Sequence, residues 1–286
     1  MALNLRSLSK NGQSILPPMT LLGGSQYLQS PNGRFKLLAQ EDLNLALYDG
    51  DSAVWVADAS VPYSSQVGMT VRDDPSPMVY MYYNLKLRDG DRRRIWSTTG
   101  SDVIGGNLTD AASRTHLQLQ DDGNLVIVDL LPLWASNMSL PVAPDIPAVF
   151  IQPGTTLHPG DSFAIGSTQL LFQADGNLVV YGAGGVVHWA SYTQNLGAVS
   201  AVMQPDGNFV IYGAGGVALW NSGTPGQPSA YGRLQADGSF SIVSDRVCWA
   251  RFGYTPTITP TRTMPRYSGN PYTDPWKTKD FPVWTF

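Results

Sequence analysis

Cysteine and histidine are both scarce in this sequence. Cys248 is the only cysteine among 286 residues, so neither an intramolecular disulfide nor a thiolate metal cluster can form, and we expect a buried apolar thiol. The three histidines, His116, His158 and His188, have no metal-binding spacing. We therefore expect no metal and no other cofactor.

Charge and long apolar runs are also limited. Charged residues make up 14% of the chain and the formal net charge is −4, whereas a nucleic-acid-binding protein normally presents a basic face. No run of roughly 18 apolar residues predicts a membrane-spanning helix, and the N-terminus lacks the apolar segment of a secretory signal. We expect no nucleic-acid partner, no membrane span and no signal peptide.

Residues that favour strands and tight turns are abundant. The chain has 29 Gly, 21 Pro, 13 Tyr and 8 Trp, and its length is sufficient for two domains. The composition therefore predicts an all-β protein with two domains.

A short motif repeats at equal intervals in the second half of the chain. QADGNLVVY (Gln173–Tyr181) recurs as QPDGNFVIY (Gln204–Tyr212), and the next copy, QADGSFSIV (Gln235–Val243), changes three key positions. Each Asp-Gly pair between apolar runs predicts a β-hairpin, so every repeat predicts a small antiparallel sheet. Three such sheets around a pseudo-threefold axis bury their apolar faces together.

The first half carries the same motif in a looser form. Gln40–Tyr48 and Gln120–Val128 keep most of it, while Tyr80–Arg88 between them keeps only the Asn. One Trp follows each copy at a nearly constant distance, and we expect these side chains to fill the domain cores. They are Trp55, Trp96, Trp134, Trp189, Trp220 and Trp249.

The repeats divide the chain into four predicted segments. Residues 1–140 and 148–254 are predicted to form the two domains, and the Pro-rich stretch 141–147 reads as an extended linker. Residues 255–286 carry no repeat, but six prolines and two Trp make this C-terminal extension unlike a simple disordered end.

The motif Gln-x-Asp-x-Asn-x-Val-x-Tyr, repeated with a following Trp, resembles the signature of the monocot mannose-binding lectins, also called B-type lectins. The resemblance covers most of the chain, from the first copy of the motif to the last Trp of the series. It implies two tandem β-prism II domains, each with three four-stranded sheets, and a possible monosaccharide site on each sheet.

The side chains of the motif suit a sugar, whose hydroxyls both donate and accept hydrogen bonds. Amides, a carboxylate and a phenol can satisfy these hydroxyls, and the Val can pack on the ring carbons, although Asp-Gly-Asn is also simply a good turn. The predicted carbohydrate-binding residues are Gln173, Asp175, Asn177, Val179, Tyr181, Gln204, Asp206, Asn208, Val210 and Tyr212. Weaker sites are predicted at Gln40, Asp42, Asn44 and Tyr48 and at Gln120, Asp122, Asn124 and Val126.

The remaining copies are predicted to be scaffold. Tyr80–Arg88 lacks Gln, Asp and Tyr at their positions, and Gln235–Val243 has Ser239, Ser241 and Val243 in place of Asn, Val and Tyr. The run Arg92–Arg94 is either a solvated loop or a contact for anionic lipopolysaccharide.

Tandem domains, no signal peptide, no disulfide and an aromatic extension together resemble the lectin-like bacteriocins, typified by those of Pseudomonas. That resemblance implies a monomer that is released from the producer and binds D-rhamnose or D-mannose units of lipopolysaccharide on related Gram-negative bacteria. It also implies killing from the outer surface, with an outer-membrane β-barrel assembly protein as the target chosen by the first domain. Exchange of terminal strands between the domains is a further expectation of this architecture.

Two other functions compete with this hypothesis. A non-toxic mannose-binding agglutinin shares the fold and the sites, but does not need the aromatic extension or the degenerate first domain. A glycoside-acting enzyme needs only an acid pair that meets in space, yet the sequence has no nucleophile-elbow or phosphate-loop motif. We therefore expect a binding protein and not an enzyme.

Overall fold

The computed structural model of the chain is built almost entirely of short β-strands. It describes residues 6–8, 10–23, 26–40, 45–57, 78–81, 85–88, 94–97, 112–140, 142–251, 259–267 and 278–285. Two compact units are present: unit 1 contains Met1–Asp129 and Val247–Phe286, and unit 2 contains Leu130–Arg246. Among the described residues, no helix is long and apolar enough to cross a lipid bilayer.

The strands are numbered in chain order. The first twelve are β1 (Arg6–Ser7), β2 (Ile15–Leu16), β3 (Thr20–Leu22), β4 (Tyr27–Gln29), β5 (Phe35–Ala39), β6 (Leu45–Asp49), β7 (Ser52–Val56), β8 (Met78–Met81), β9 (Leu85–Arg88), β10 (Arg94–Ser97), β11 (Thr115–Leu119) and β12 (Leu125–Ala135). The others are β13 (Ala148–Ile151), β14 (Thr156–Leu157), β15 (Ser162–Ile165), β16 (Thr168–Phe172), β17 (Leu178–Tyr181), β18 (Val187–Ala190), β19 (Ala198–Met203), β20 (Phe209–Gly213), β21 (Ala218–Asn221), β22 (Tyr231–Gln235), β23 (Phe240–Ala250), β24 (Thr259–Tyr267) and β25 (Thr278–Thr285).

Unit 2 consists of three antiparallel sheets that face one another. Their strand orders are β15–β16–β17–β18, β14–β19–β20–β21 and β13–β22–β23–β12, the last being part of the six-stranded sheet β13–β22–β23–β12–β11–β2. Since successive side chains of a strand point to opposite faces, Leu178 and Val180 of β17 enter the core while Val179 and Tyr181 face outward. Trp134, Trp189 and Trp220 pack against this core with all three ring centroids 5.3 Å apart. The sequence prediction of an all-β, β-prism fold is confirmed.

Unit 1 has the same arrangement with one enlarged sheet. Its strand orders are β4–β5–β6–β7, β1–β3–β8–β9–β10 and β2–β11–β12–β23, the last again being part of the six-stranded sheet. The second sheet has five strands instead of the predicted four because the two-residue strand β1 pairs in parallel with β3. Cys248 is buried in the core of this unit, as expected, beside Trp249. The C-terminal extension forms the antiparallel hairpin β24–β25.

The third sheet of each unit is completed by residues from the other half of the sequence. Strands β12 and β23 are 11 residues long, and each passes from one unit into the other, at 129/130 and at 246/247. The amide of Ser136 therefore donates to Phe240 O (2.8 Å) in unit 2, and the amide of Arg251 donates to Leu125 O (2.8 Å) in unit 1. Terminal strands are thus exchanged. For this reason the units are bounded at 129/130 and 246/247 and not at the predicted 140 and 148.

The exchange also reassigns two of the repeated Trp side chains. Trp134 follows the Gln120 copy of the motif in sequence, but it packs in unit 2 against Trp189, Trp220 and Phe240. Trp249 follows the Gln235 copy, but it lies in the core of unit 1. The Trp that follows the third repeat of one unit therefore packs in the core of the other unit.

The Pro-rich stretch is a packed part of unit 2 rather than an extended linker. The Ala143 amide donates to Gln235 Oε1 (3.0 Å), and Arg233 Nη2 donates to the carbonyls of Ala143 (2.9 Å) and Ile146 (3.0 Å). Val142 is buried with Val243. The sequence composition favours an extended segment, but it does not reveal that the third repeat supplies these partners.

We predict that Trp134→Ala lowers the free energy of unfolding by about 3 kcal/mol, because the remaining Trp rings and Phe240 lose a large packed side chain. In native-state hydrogen exchange, the amides of β16 and β19 should lose protection while those of β5 and β6 keep theirs. Replacing the 95% exposed Met138 with Ala is the control and should change little. Loss of protection confined to β5 and β6 would contradict the exchange of strands, because it would place the Trp134 side chain in the core of unit 1.

Candidate carbohydrate-binding sites

Two copies of the motif form nearly identical outward-facing sites on unit 2, which we call site 1 (Gln173–Tyr181) and site 2 (Gln204–Tyr212). Each begins with a tight turn; in site 1, Gln173 N donates to Asn177 O (2.8 Å) and Gly176 N donates to Gln173 O (2.9 Å). Gly176 has φ of 85°, and a Cβ there would lie 2.9 Å from the Cβ of Ala198. Both the backbone conformation and the available space therefore require glycine.

The Asp of each motif holds the turn with one carboxylate oxygen. Asp175 Oδ1 accepts from Asn177 N at 3.0 Å, and Asp206 Oδ1 accepts from Asn208 N at the same distance. Asp122 and Asp237 make the equivalent bond in the two third repeats, at 2.8 and 3.1 Å. This bond belongs to the turn, which leaves the second carboxylate oxygen for another role.

The Asn side chain is held by a Ser and a Thr that lie just after the strand carrying the Trp, β18 in site 1 and β21 in site 2. We call this arrangement the Ser–Thr latch. Asn177 Oδ1 accepts from Ser191 Oγ (3.0 Å) and from Thr193 N (3.2 Å), and Thr193 Oγ1 donates to the Gly176 carbonyl (2.7 Å). Because a backbone N–H can only donate, the Asn177 amide is oriented with its NH₂ group away from the latch.

Site 2 has the same latch. Asn208 Oδ1 accepts from Ser222 Oγ (3.1 Å) and from Thr224 N (3.2 Å). Our sequence reasoning missed these residues, although the pattern Trp-x-Ser-x-Thr occurs at Trp189 and again at Trp220 and is their signal.

The Gln and Tyr of each motif are joined across the floor of the site. Gln173 Nε2 donates to Tyr181 Oη (2.8 Å), and Gln204 Nε2 donates to Tyr212 Oη (2.8 Å). The Tyr hydroxyl hydrogen is then left to donate elsewhere. Val179 and Val210 are only 2% and 3% exposed, so they support the floor and offer little surface for the predicted packing on ring carbons.

Each site thus presents two acceptors and two donors on an open surface. They are the second Asp oxygen, the Gln Oε1, the Asn Nδ2 and the Tyr O–H, and within the described part of the chain none of them has another hydrogen-bond partner. Vicinal hydroxyls of a sugar both donate and accept, so this set matches them. The described residues contain no group of three or more side chains able to hold a metal ion.

The first repeat of unit 1 keeps part of this arrangement. Gln40 Nε2 donates to Tyr48 Oη (2.6 Å), and Ala46, in the place of the Val, is fully buried. Asp42 and Asn44 lie outside the described residues. Ala57 occupies the position of Ser191, since its amide donates to Leu45 O (2.8 Å), so the latch has no hydroxyl at this position.

The third repeat of unit 1 keeps the turn but closes the site. Asn124 is 8% exposed, and Val126 and Val128 are buried against Ala250 and Val247. Arg251 takes the position of the latch Ser, and its guanidinium donates to Gly123 O. The turn of the predicted weaker site at Gln120–Val126 is therefore present, but its floor is covered.

The third repeat of unit 2 is likewise covered. Gln235 is fully buried, and its Oε1 accepts from Arg233 Nε (3.0 Å) as well as from Ala143 N. Burial lowers the pKa of the Arg233 guanidinium, and nearby Tyr231 and Asp245 oppose that shift. In the other predicted scaffold copy, residues 82–84 lie outside the described part of the chain, as do Arg92 and Arg93.

Three-sheet prisms that carry shallow, polar clusters of this kind define a β-prism II protein. No family model matches the chain. The chain is 27% identical to mannose-specific lectin 1 of Remusatia vivipara over 199 residues, which cover 64% of this chain and 69% of that lectin.

Solved structures extend the comparison to single lectin domains. A monocot mannose-binding lectin from Gastrodia elata is 33% identical and aligns over 38% of this chain and 98% of its own, with a TM-score of 0.30. The snowdrop (Galanthus nivalis) mannose-specific agglutinin, solved with methyl-α-D-mannoside, is 31% identical over the same shares, with a TM-score of 0.31. By this sequence identity, the chain belongs to the monocot mannose-binding lectin family.

We predict that Ser191→Ala lowers the free energy of unfolding by about 1–2 kcal/mol, because Asn177 Oδ1 loses a donor and Leu178 N loses its acceptor in a buried setting. Ser222→Ala should cost about the same in site 2. Ser167 is exposed, so Ser167→Ala is a matched control that should stay within about 0.5 kcal/mol in urea unfolding. Equal stability of all three variants would refute the structural role of the latch.

Proposed function

We propose that this protein is a lectin whose sites 1 and 2 each bind one D-mannose or D-rhamnose unit without a metal ion. The observation that carries the proposal is the close repetition of the polar cluster. The Gln–Tyr bond is 2.8 Å in both sites, the Asp–Asn bond is 3.0 Å in both, and the Ser–Asn bond is 3.0 Å in site 1 and 3.1 Å in site 2. A turn needs only the Asp and the Gly, so the repeated placement of Gln, Asn and Tyr around them calls for a ligand.

The chemistry of each side chain supports a neutral sugar. Asp175 Oδ2 and Gln173 Oε1 accept from hydroxyl groups, while Asn177 Nδ2 and Tyr181 Oη donate to hydroxyl oxygens. D-Rhamnose is the 6-deoxy form of D-mannose and keeps its ring hydroxyls, so the same four groups suit both sugars. The relatives support mannose-type recognition, since a mannoside is bound in the snowdrop agglutinin.

Shallow sites of this kind suit a polymer rather than a free monosaccharide. An open site with four polar contacts binds a single ring weakly, whereas two sites on one unit convert the second binding event into an intramolecular one. Repeated mannose or rhamnose units of a surface polysaccharide therefore give useful affinity. We infer that the polysaccharide of lipopolysaccharide on related Gram-negative bacteria is the natural ligand.

We further propose that the protein is a lectin-like bacteriocin that is released from the producing cell and kills from the target's outer surface. The uneven distribution of sites supports this: unit 2 has two complete clusters, while the described sites of unit 1 lack latch or floor groups. Unit 1 is then available for a second partner, for which we propose an outer-membrane β-barrel assembly protein. A non-toxic agglutinin is the second candidate, because two equal sites on unit 2 are sufficient to cross-link glycans.

Sugar binding is tested by titration calorimetry with methyl-α-D-mannoside and D-rhamnose. Asp175→Asn and Asp206→Asn keep the Oδ1 that caps each turn but replace the outward acceptor with a donor, so each should abolish one of two sites, and the double variant should lower binding at least tenfold. Asp122→Asn is the matched control, since the exposed Asp122 caps the same turn in a covered repeat. Unchanged binding by the double variant would rule out these sites.

Killing is tested separately, by inhibition zones on a panel of related Gram-negative strains. We expect zones with the wild-type protein that shrink or disappear with the Asp175→Asn/Asp206→Asn variant, because surface recognition precedes killing. Sugar binding without a zone on any strain would favour the agglutinin. Zones that persist in the double variant would show that killing does not depend on the two sites.

A further inference from the structure

Sites 1 and 2 differ at one position of the latch. Tyr192 lies between Ser191 and Thr193, and Gly223 lies between Ser222 and Thr224, so the two residues occupy equivalent places. Both have a left-handed backbone, with φ of 58° for Tyr192 and 70° for Gly223. The side chain of Tyr192 is 77% exposed.

A tyrosine is an unfavourable residue for this conformation. Bulky residues with positive φ are rare, and such strain is found mostly where a binding function requires the side chain. Gly223 is the residue expected at such a place when no side chain is needed. Among the described residues, none forms a hydrogen bond or ring contact with the Tyr192 side chain, so nothing in the described fold compensates either its strain or its exposure.

The segment that carries Tyr192 is tied to the rim of site 1. Thr193 N, which directly follows Tyr192, is 3.2 Å from Asn177 Oδ1, and Asn195 N donates to the Asp175 carbonyl at 2.7 Å. Leu196, next to Asn195, is 57% exposed. The backbone that carries this aromatic and this aliphatic side chain is therefore anchored to Asn177 and Asp175, two of the residues that form the site.

From this arrangement we propose that Tyr192 and Leu196 form a second subsite, which holds the sugar residue adjacent to the one bound in site 1. The proposal rests on the proposed function. A sugar ring has an apolar C–H face, and Tyr offers a large flat surface with few rotatable bonds. Site 1 then recognises a disaccharide unit, whereas site 2, with Gly223, recognises a single residue.

The composition of the segment defines the glycan further. Residues 191–199 contain no charged side chain, only hydroxyl, amide, aromatic and aliphatic groups. A negatively charged sugar has no counter-charge in this segment, while a neutral hexose finds both an apolar surface and amide groups such as that of Gln194. The segment thus favours a neutral oligosaccharide, and its mannose type follows from the proposed function.

The test isolates each site with the Asp→Asn variants. In the Asp206→Asn protein, which keeps site 1, we compare methyl-α-D-mannoside with the α1→2, α1→3 and α1→6 methyl mannobiosides by calorimetry. At least one mannobioside should bind about fivefold more tightly than the mannoside, as expected for one aromatic contact. Tyr192→Asn, which tolerates positive φ, should remove this gain and leave mannoside affinity within about twofold, while Tyr192→Phe should retain it.

Site 2 offers the reciprocal experiment. In the Asp175→Asn protein, which keeps site 2, Gly223→Tyr should raise the affinity for the same mannobioside by about threefold or more without changing mannoside affinity. The urea midpoint checks the fold of this variant. If Gly223→Tyr unfolds the protein, the Tyr192→Asn comparison decides alone.

Four results would overturn the subsite. Site 1 could bind every mannobioside no better than the mannoside, or it could keep its preference after Tyr192→Asn; in both cases mannoside binding persists and the proposed function stands. A smaller inhibition zone for Tyr192→Asn with unchanged glycan binding would instead assign Tyr192 to a protein contact. Absence of binding of both methyl-α-D-mannoside and D-rhamnose by the wild-type protein would remove the proposed function and this subsite together.

Discussion

The structure depends on one constraint: a four-stranded sheet of this size buries too little apolar surface to be stable alone. Three sheets together are stable because each packs one face against a common core. In unit 2 this core includes Phe172, Phe209 and Phe240, and three Trp rings pack against it. Because side chains alternate along a strand, the opposite face is then fixed as well. Val179 and Tyr181 are outward because Leu178 and Val180 must be inward.

The same residues serve the fold and the site with different atoms. Asp175 caps its turn with one oxygen and presents the other, and Asn177 gives its carbonyl to the latch and presents its NH₂. Asp122 and Asp237 keep the turn bond in the covered third repeats, where Tyr is replaced by Val128 and Val243. The turn is thus a requirement of folding, whereas the complete Gln, Asn and Tyr set of the described repeats is present only where the surface stays open.

The local elements could be predicted from the sequence because they depend on local chemistry: Asp-Gly turns, alternating apolar residues and a motif that returns at equal intervals. The sequence does not predict which core receives the Trp that follows each third repeat, because Trp134 has the same local sequence signal whichever core it enters. The only trace is that Trp134 lies slightly closer to Gln120 along the chain than Trp189 does to Gln173. Likewise, the composition of residues 142–147 favours an extended chain, and only the tertiary fold provides Arg233 and Gln235 as partners.

The exchanged strands make the two units unequal in how they occupy the chain. Unit 2 is one uninterrupted segment, Leu130–Arg246, while unit 1 is formed by the residues on both sides of it. In covalent terms the unit that carries sites 1 and 2 is therefore an insertion within its neighbour, and it is one continuous segment for any replacement. A cut at the Pro-rich stretch, where composition marks a boundary, leaves both halves with an incomplete third sheet. Recombination that changes ligand preference while keeping both prisms whole has to join sequences at the middle of β12 and of β23.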